Sequence, residues 1–133
     1  MNLIEWDKSL EVRINQIDSE HKVFVSIIEK IEKEILNNGD KEYIVNLFAE
    51  LLKFTDFHFC REENVMLLEK YPDIERHKTI HKNLIKDLQD KIYVLNSEYI
   101  HFGALLAYLV TWFNTHTSKE DMLFASYLQS KQL

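Results

Sequence analysis

The chain has 133 residues, 46% hydrophobic and 29% charged, a length and balance that suit one folded domain spanning residues 1–133 and exclude a disordered chain. Its formal charge of −6 argues against nucleic acid or an anionic membrane as partner. The lone Cys60 rules out an intramolecular disulfide, Glu5 and Asp7 break any signal-type apolar run, and no stretch nears the roughly 18 apolar residues of a membrane span. A cytoplasmic protein is expected.

With two glycines and one proline in the whole chain, an all-α fold is expected. Residues 1–18 show no sustained helical period and read as an extended N-terminal arm that packs Trp6, Val12 and Ile14 on the body. Asp18 or Ser19 offers an N-cap, after which His21, Phe24, Ile28, Ile31 and Ile35 recur on one face. Asn37-Asn38-Gly39 supplies a stop, giving a helix over about 19–37.

Asp40 caps a second helix over about 41–69. Its seam runs Ile44, Phe48, Leu51, Thr55, His58, Glu62, Val65, and Tyr71-Pro72 ends it. Asp73 caps a third helix over about 74–95, with Ile74, His77, His81, Leu84 and Leu88 on its seam. Asn96-Ser97 breaks it. The fourth runs from about 98 to 129 with the stripe Phe102, Leu105, Leu106, Leu109, Trp112, Phe113, His116. Long helices joined by short loops predict an antiparallel up-down-up-down four-helix bundle over about 19–131.

Five of the six histidines fall on these seams, at least one per helix. If the first helix starts at the top of the bundle, His21 lies near the top. His58 and His116 lie roughly 26 and 27 Å up their rising helices, which is the same level. His77 and His81 occupy the first turns of the third helix, again at the top. His101 lies roughly 22 Å from His116 along its helix and does not belong to the set.

His58 and Glu62, and His77 and His81, share helix faces at i, i+4. Each pair alone has ordinary explanations: a surface pair for the first, satisfied core histidines for the second and for His116. Their convergence on one level is the stronger signal, because buried imidazoles and carboxylates without partners are costly. Asp121 is i+5 from His116, about 140° away on an ideal helix. Either a π-bulge aligns the two, or they straddle a site wider than one ion, or Asp121 is a solvated acid beside Glu120. Phe59 and Cys60 are expected to point away from the seam, and Glu63 to be a solvated neighbour. Seven N/O donors without thiolate exceed one tetrahedral zinc and suit two ions, with non-haem iron favoured over manganese.

The pattern His21, His58-xxx-Glu62, His77-xxx-His81, His116-xxxx-Asp121, with Trp6 in the arm and Trp112-Phe113 before the last histidine, resembles the bacterial hemerythrins over nearly the whole chain. The resemblance implies two iron ions bridged by Glu62, Asp121 and an oxo or hydroxo group. One would be held by His77, His81 and His116. The other would be held by His21 and His58 and keep an open position. It implies reversible dioxygen binding for storage, delivery or sensing, with nitric oxide as a second diatomic and no established protein partner. Phe24, Ile28, Phe54, Trp112 and Phe113 would wall the pocket. The family more often carries Gln where this chain has Glu20, which places an extra acid near the site mouth. The competing reading is a di-iron oxidoreductase acting on dioxygen, peroxide or nitric oxide, and a structural zinc bundle is a third. No residue supplies an obvious catalytic acid or base, so a carrier is expected rather than an enzyme.

Overall fold

A computed structural model describes residues 14–95 and 101–131. Its elements in chain order are α1 (Asn15–Leu36), α2 (Lys41–Leu68), α3 (Ile74–Val94), α4 (Phe102–His116), one π-helical turn (Thr117–Asp121) and α5 (Met122–Lys131). The last three form one continuous rod, so the fold is an antiparallel four-helix bundle, with no strand among the described residues. No helix of the described residues is long and apolar enough to cross a membrane.

The helix ends follow from local chemistry. Asp40 accepts from the Glu42 amide at 3.0 Å and caps α2, as its residue type predicts. Two helices close with the same carbonyl-satisfying motif. At the end of α1, Gly39 N–H reaches Glu34 O at 2.8 Å and Asn38 N–H reaches Ile35 O at 3.2 Å. Asn38, not Gly39, takes the left-handed conformation (φ 51°). At the end of α2, Tyr71 N–H reaches Met66 O at 2.9 Å across a left-handed Lys70 (φ 56°). Tyr71 then packs with Met66 in the same apolar cluster.

Two helix starts differ from the sequence expectation, and one expected cap makes no bond. α1 begins at Asn15 with Ile14 as its cap, and neither Asp18 nor Ser19 caps it. Ile17 lies one turn before His21 and is 1% exposed, so burying it extends the helix past the better capping residues. Asp73 occupies its cap position without a side-chain bond. The last helix starts at Phe102 behind His101, which is exposed and belongs to neither group of possible metal donors. Trp6 and Val12 of the expected arm lie outside the described residues, whereas Ile14 packs partly against the core.

The core has three layers along the bundle axis. A large apolar cluster includes Phe24, Ile28, Phe48, Leu51, Leu88, Leu106 and Leu109. A smaller one at the other end holds Ile17, Met66, Tyr71 and Phe124. Between them every rod turns polar inside: His21 on α1, Thr55, His58 and Glu62 on α2, His77 and His81 on α3, and His116 and Asp121 on the last rod, all buried. Tyr127 anchors the end of the last rod by donating its hydroxyl to Glu69 O and Lys70 O at 2.8 and 2.9 Å.

Candidate metal centre

The layer is assembled by the helical period and one break in it. His58 and Glu62, and His77 and His81, lie at i, i+4 on uninterrupted helix and so face the same way. His116 and Asp121 need the π turn between them. It brings Asp121 Oδ1 to 3.4 Å from His116 Nε2, so the bulge is the structure's answer among the alternatives the spacing left open.

The rings divide into a pair and a triad. His21 and His58 stand with ring centroids 4.9 Å apart. His77, His81 and His116 stand 4.4 to 5.3 Å from one another. Each carboxylate offers one oxygen to each set. Glu62 Oε2 lies 3.4 Å from His58 Nε2, while Oε1 lies 2.8 and 3.2 Å from His77 Nε2 and His81 Nε2. Asp121 Oδ2 lies 3.2 Å from His21 Nε2, while Oδ1 lies 3.6 and 3.4 Å from His77 and His116 Nε2. Two donor groups, His21-His58-Glu62 and Glu62-His77-His81-His116, each gather ligand atoms within 4.8 Å of one another.

The donors fit cations. His58 Nε2, Glu62 Oε2 and both Asp121 oxygens are buried without a hydrogen bond. His81 Nε2 and His116 Nε2 face each other at 3.2 Å, and two ring nitrogens that meet this way share at most one proton. Burial pulls the His58 and His77 pKa values down, but the adjoining carboxylates outweigh it and raise both to about 9. Burial likewise pushes Glu62 and Asp121 up, and the surrounding imidazoles hold both below the ordinary carboxylate range, Glu62 far below it. His116 is lowered, chiefly by burial. The layer therefore holds two ionised carboxylates inside the bundle, with their charge met by protonated imidazole in the metal-free chain and open to replacement by a cation.

Several neighbours make contacts that spacing along one helix does not carry. Glu20, the extra acid expected near the site, stands behind a ring of it. Its Oε1 lies 2.7 Å behind His58 Nδ1, and its other oxygen accepts from Arg61. Glu63 is not merely solvated, because its Oε2 lies 2.7 Å from His81 Nδ1. Such carboxylates orient a ring and fix its tautomer so that Nε2 is free to ligate. Phe59 does not point away: its ring lies parallel to His81, 3.7 Å between centroids. Arg76 grips Glu120, beside Asp121, with two bonds of 2.7 and 3.0 Å. Acids beside the buried candidate donors, at the edge of the apolar stripe, were the available signal for Glu20, Glu63 and Glu120. Cys60 is exposed, as expected.

Of the expected pocket wall, Phe113 meets His21 edge-on at 5.3 Å and stacks on Phe24 at 4.6 Å. Trp112 lies nearly parallel to His116, 5.4 Å between centroids. Ile28 belongs to the large cluster and Phe54 packs partly buried against it.

Across residues 12–128 the sequence matches the family model described as the hemerythrin HHE cation binding domain. The chain belongs to the hemerythrin family. It is 30% identical over 124 residues to a bacteriohemerythrin of Clostridium acetobutylicum, covering 87% of this chain and 94% of that one. A myohemerythrin of Riftia pachyptila is 25% identical over 123 residues, covering 92% of each. The crystal structure of a hemerythrin point mutant, 24% identical, superposes with a TM-score of 0.80 over 95% of this chain and 97% of that one. At that identity the superposition bears on the fold.

Proposed function

We propose that this hemerythrin-family chain binds dioxygen reversibly at a di-iron centre held by His21, His58, Glu62, His77, His81, His116 and Asp121. The observation that carries the reading is the sharing of Glu62 and Asp121, each with one oxygen toward the histidine pair and one toward the triad. Imidazole and carboxylate donors without thiolate suit iron, and the likeness to a bacteriohemerythrin and a myohemerythrin supports that choice. Ferrous iron, when bound, supplies the electrons with which a diatomic is taken up and returned.

The protein's part is positioning and exclusion. The triad gives its ion one more imidazole than the pair gives the other, so the diatomic has room beside His21 and His58. Nitric oxide would compete for the same place. Phe113 and Phe24, both buried, exclude water from the His21 side, while Glu20 fixes the His58 ring from behind. Imidazoles that ligate a metal are neutral, and here they outnumber the carboxylates, which suits holding dioxygen over oxidising a substrate. The reading takes residues 1–133 as one domain working in a reducing cytoplasm, where ferrous iron and the free Cys60 persist.

The test is iron counting followed by anaerobic reduction and optical titration with dioxygen. Two irons per chain and reversible uptake of one dioxygen are expected. Sustained dioxygen consumption with a reductant would instead favour the oxidoreductase, and zinc in place of iron would end the reading.

A further inference from the structure

The π turn that aligns Asp121 with His116 is the rarest backbone in the bundle, and π geometry occurs mainly as isolated turns. Relaxing it to α-helix would return Asp121 to about 140° from His116. Some contact must oppose that relaxation. Glu120 sits inside the turn, directly before Asp121, and accepts two bonds from Arg76. Arg76 directly precedes His77 on α3. One ion pair thus ties together the two backbone segments that present His77 and Asp121.

We propose that the Arg76–Glu120 pair is a latch that keeps the π turn formed before metal arrives, so that Asp121 faces the histidines in the metal-free chain. This rests on the reading of Asp121 as a ligand. Exposed ion pairs contribute little to stability, but this one is not an ordinary exposed pair. The Glu120 side chain is 9% exposed while the Arg76 side chain is 49% exposed. The guanidinium therefore reaches in from solvent to an almost buried carboxylate, with the planar two-point geometry that lysine cannot reproduce. Removing Arg76 leaves that carboxylate almost buried and without its two hydrogen bonds. The shortest relief is to rotate Glu120 toward water, which unwinds the π turn and carries Asp121 with it. Arg76 touches no proposed ligand and acts as a positioning residue.

The test compares Arg76→Gln with wild type by amide hydrogen exchange over residues 117–122, in the metal-free and iron-loaded chains, and by the anaerobic rate of ferrous iron uptake. In the metal-free variant, exchange over these amides should be tenfold faster or more, and iron uptake slower by a comparable factor. In the iron-loaded variant, exchange should lie within twofold of wild type, because Asp121 ligation now holds the turn. Arg76→Lys should fall between the two. If Arg76→Gln does not fold, Glu120→Gln keeps the side-chain volume and takes its place. Unchanged exchange in the metal-free variant, or the same acceleration in both states, overturns the latch. A wild-type chain that fails to take up two irons defeats the functional reading instead and leaves the metal-free exchange result standing.

Discussion

The large apolar cluster and the polar layer beside it are successive stretches of the same rods, built on the same helical period. On α2 one stripe passes from Ile44, Phe48 and Leu51 through Thr55, His58 and Glu62 to Met66, all of it buried. The first stretch asks only for apolar volume, and Phe48 or Leu51 stabilises the fold by being out of water. The second asks for particular atoms at particular places, and its buried charge stabilises nothing until it is partnered. The period decides where a residue goes, and the residue decides whether burial there is a gain or a debt.

The strongest way to break this contrast is to delete from one region and read the other. His77→Ala removes an imidazole whose Nε2 faces an oxygen of both carboxylates. Iron should fall from two to less than one per chain, checked by metal analysis, while the helical content persists. Retention of both irons would sink the ligand assignment. Phe48→Ala, at a fully buried position, should lower stability by about 3–5 kcal/mol through lost transfer energy and a cavity. Denaturant unfolding measures it, and iron per folded chain should not change. Iron lost before global unfolding would show that the two regions are not separable.

Glu63→Gln probes the contrast more finely. The amide keeps the volume of Glu63 but gives His81 Nδ1 a neutral partner in place of a carboxylate. Iron affinity should drop by about 10- to 100-fold, as for other partners of metal-bound histidines, with the fold intact. A competitive chelator titration measures it, and an unchanged affinity would return Glu63 to the solvated role that its sequence position first suggested.

That first role was wrong for a physical reason. Helical period and i, i+4 spacing place His58, Glu62, His77 and His81 on seams, and bundle level brings the seams together, so the ligand-type residues and the rods were legible. What spacing does not carry is the contact between side chains of different helices. Glu63 reaches His81 across the α2–α3 interface, and Glu20 reaches His58 across the α1–α2 interface. Neither follows from a pattern along one helix. The Asp121 position was ambiguous because a single π turn leaves no compositional mark. The start of α1 was misjudged because Ile17, by being buried, outweighed the capping preference of Asp18 and Ser19.

The smallest effect belongs to a pair at the rim of the large apolar cluster. Tyr108 on α4 donates its hydroxyl to Asp87 on α3, and Lys91 lies 3.3 Å from the same carboxylate. The Tyr108 bond holds Asp87 below its ordinary pKa. Burial and then Asp87 push Tyr108 up to about 12. Asp87 is depressed on folding, so its contribution is present above the unfolded carboxylate pKa and is lost as pH falls through the lower folded value. Tyr108 is raised, so its contribution is present below the unfolded tyrosine pKa of about 10 and is lost as pH rises toward about 12. Both groups are only half-buried, so solvent screens the pair, and Tyr108→Phe should cost only about 0.5 kcal/mol near neutral pH. Urea unfolding of the two proteins at neutral pH, and again well below the ordinary carboxylate pKa of about 3.9, separates the causes. The difference should vanish in acid if the hydrogen bond to ionised Asp87 makes it, whereas a difference that persists in acid would assign it to ring packing against α3 and leave the pair without a role.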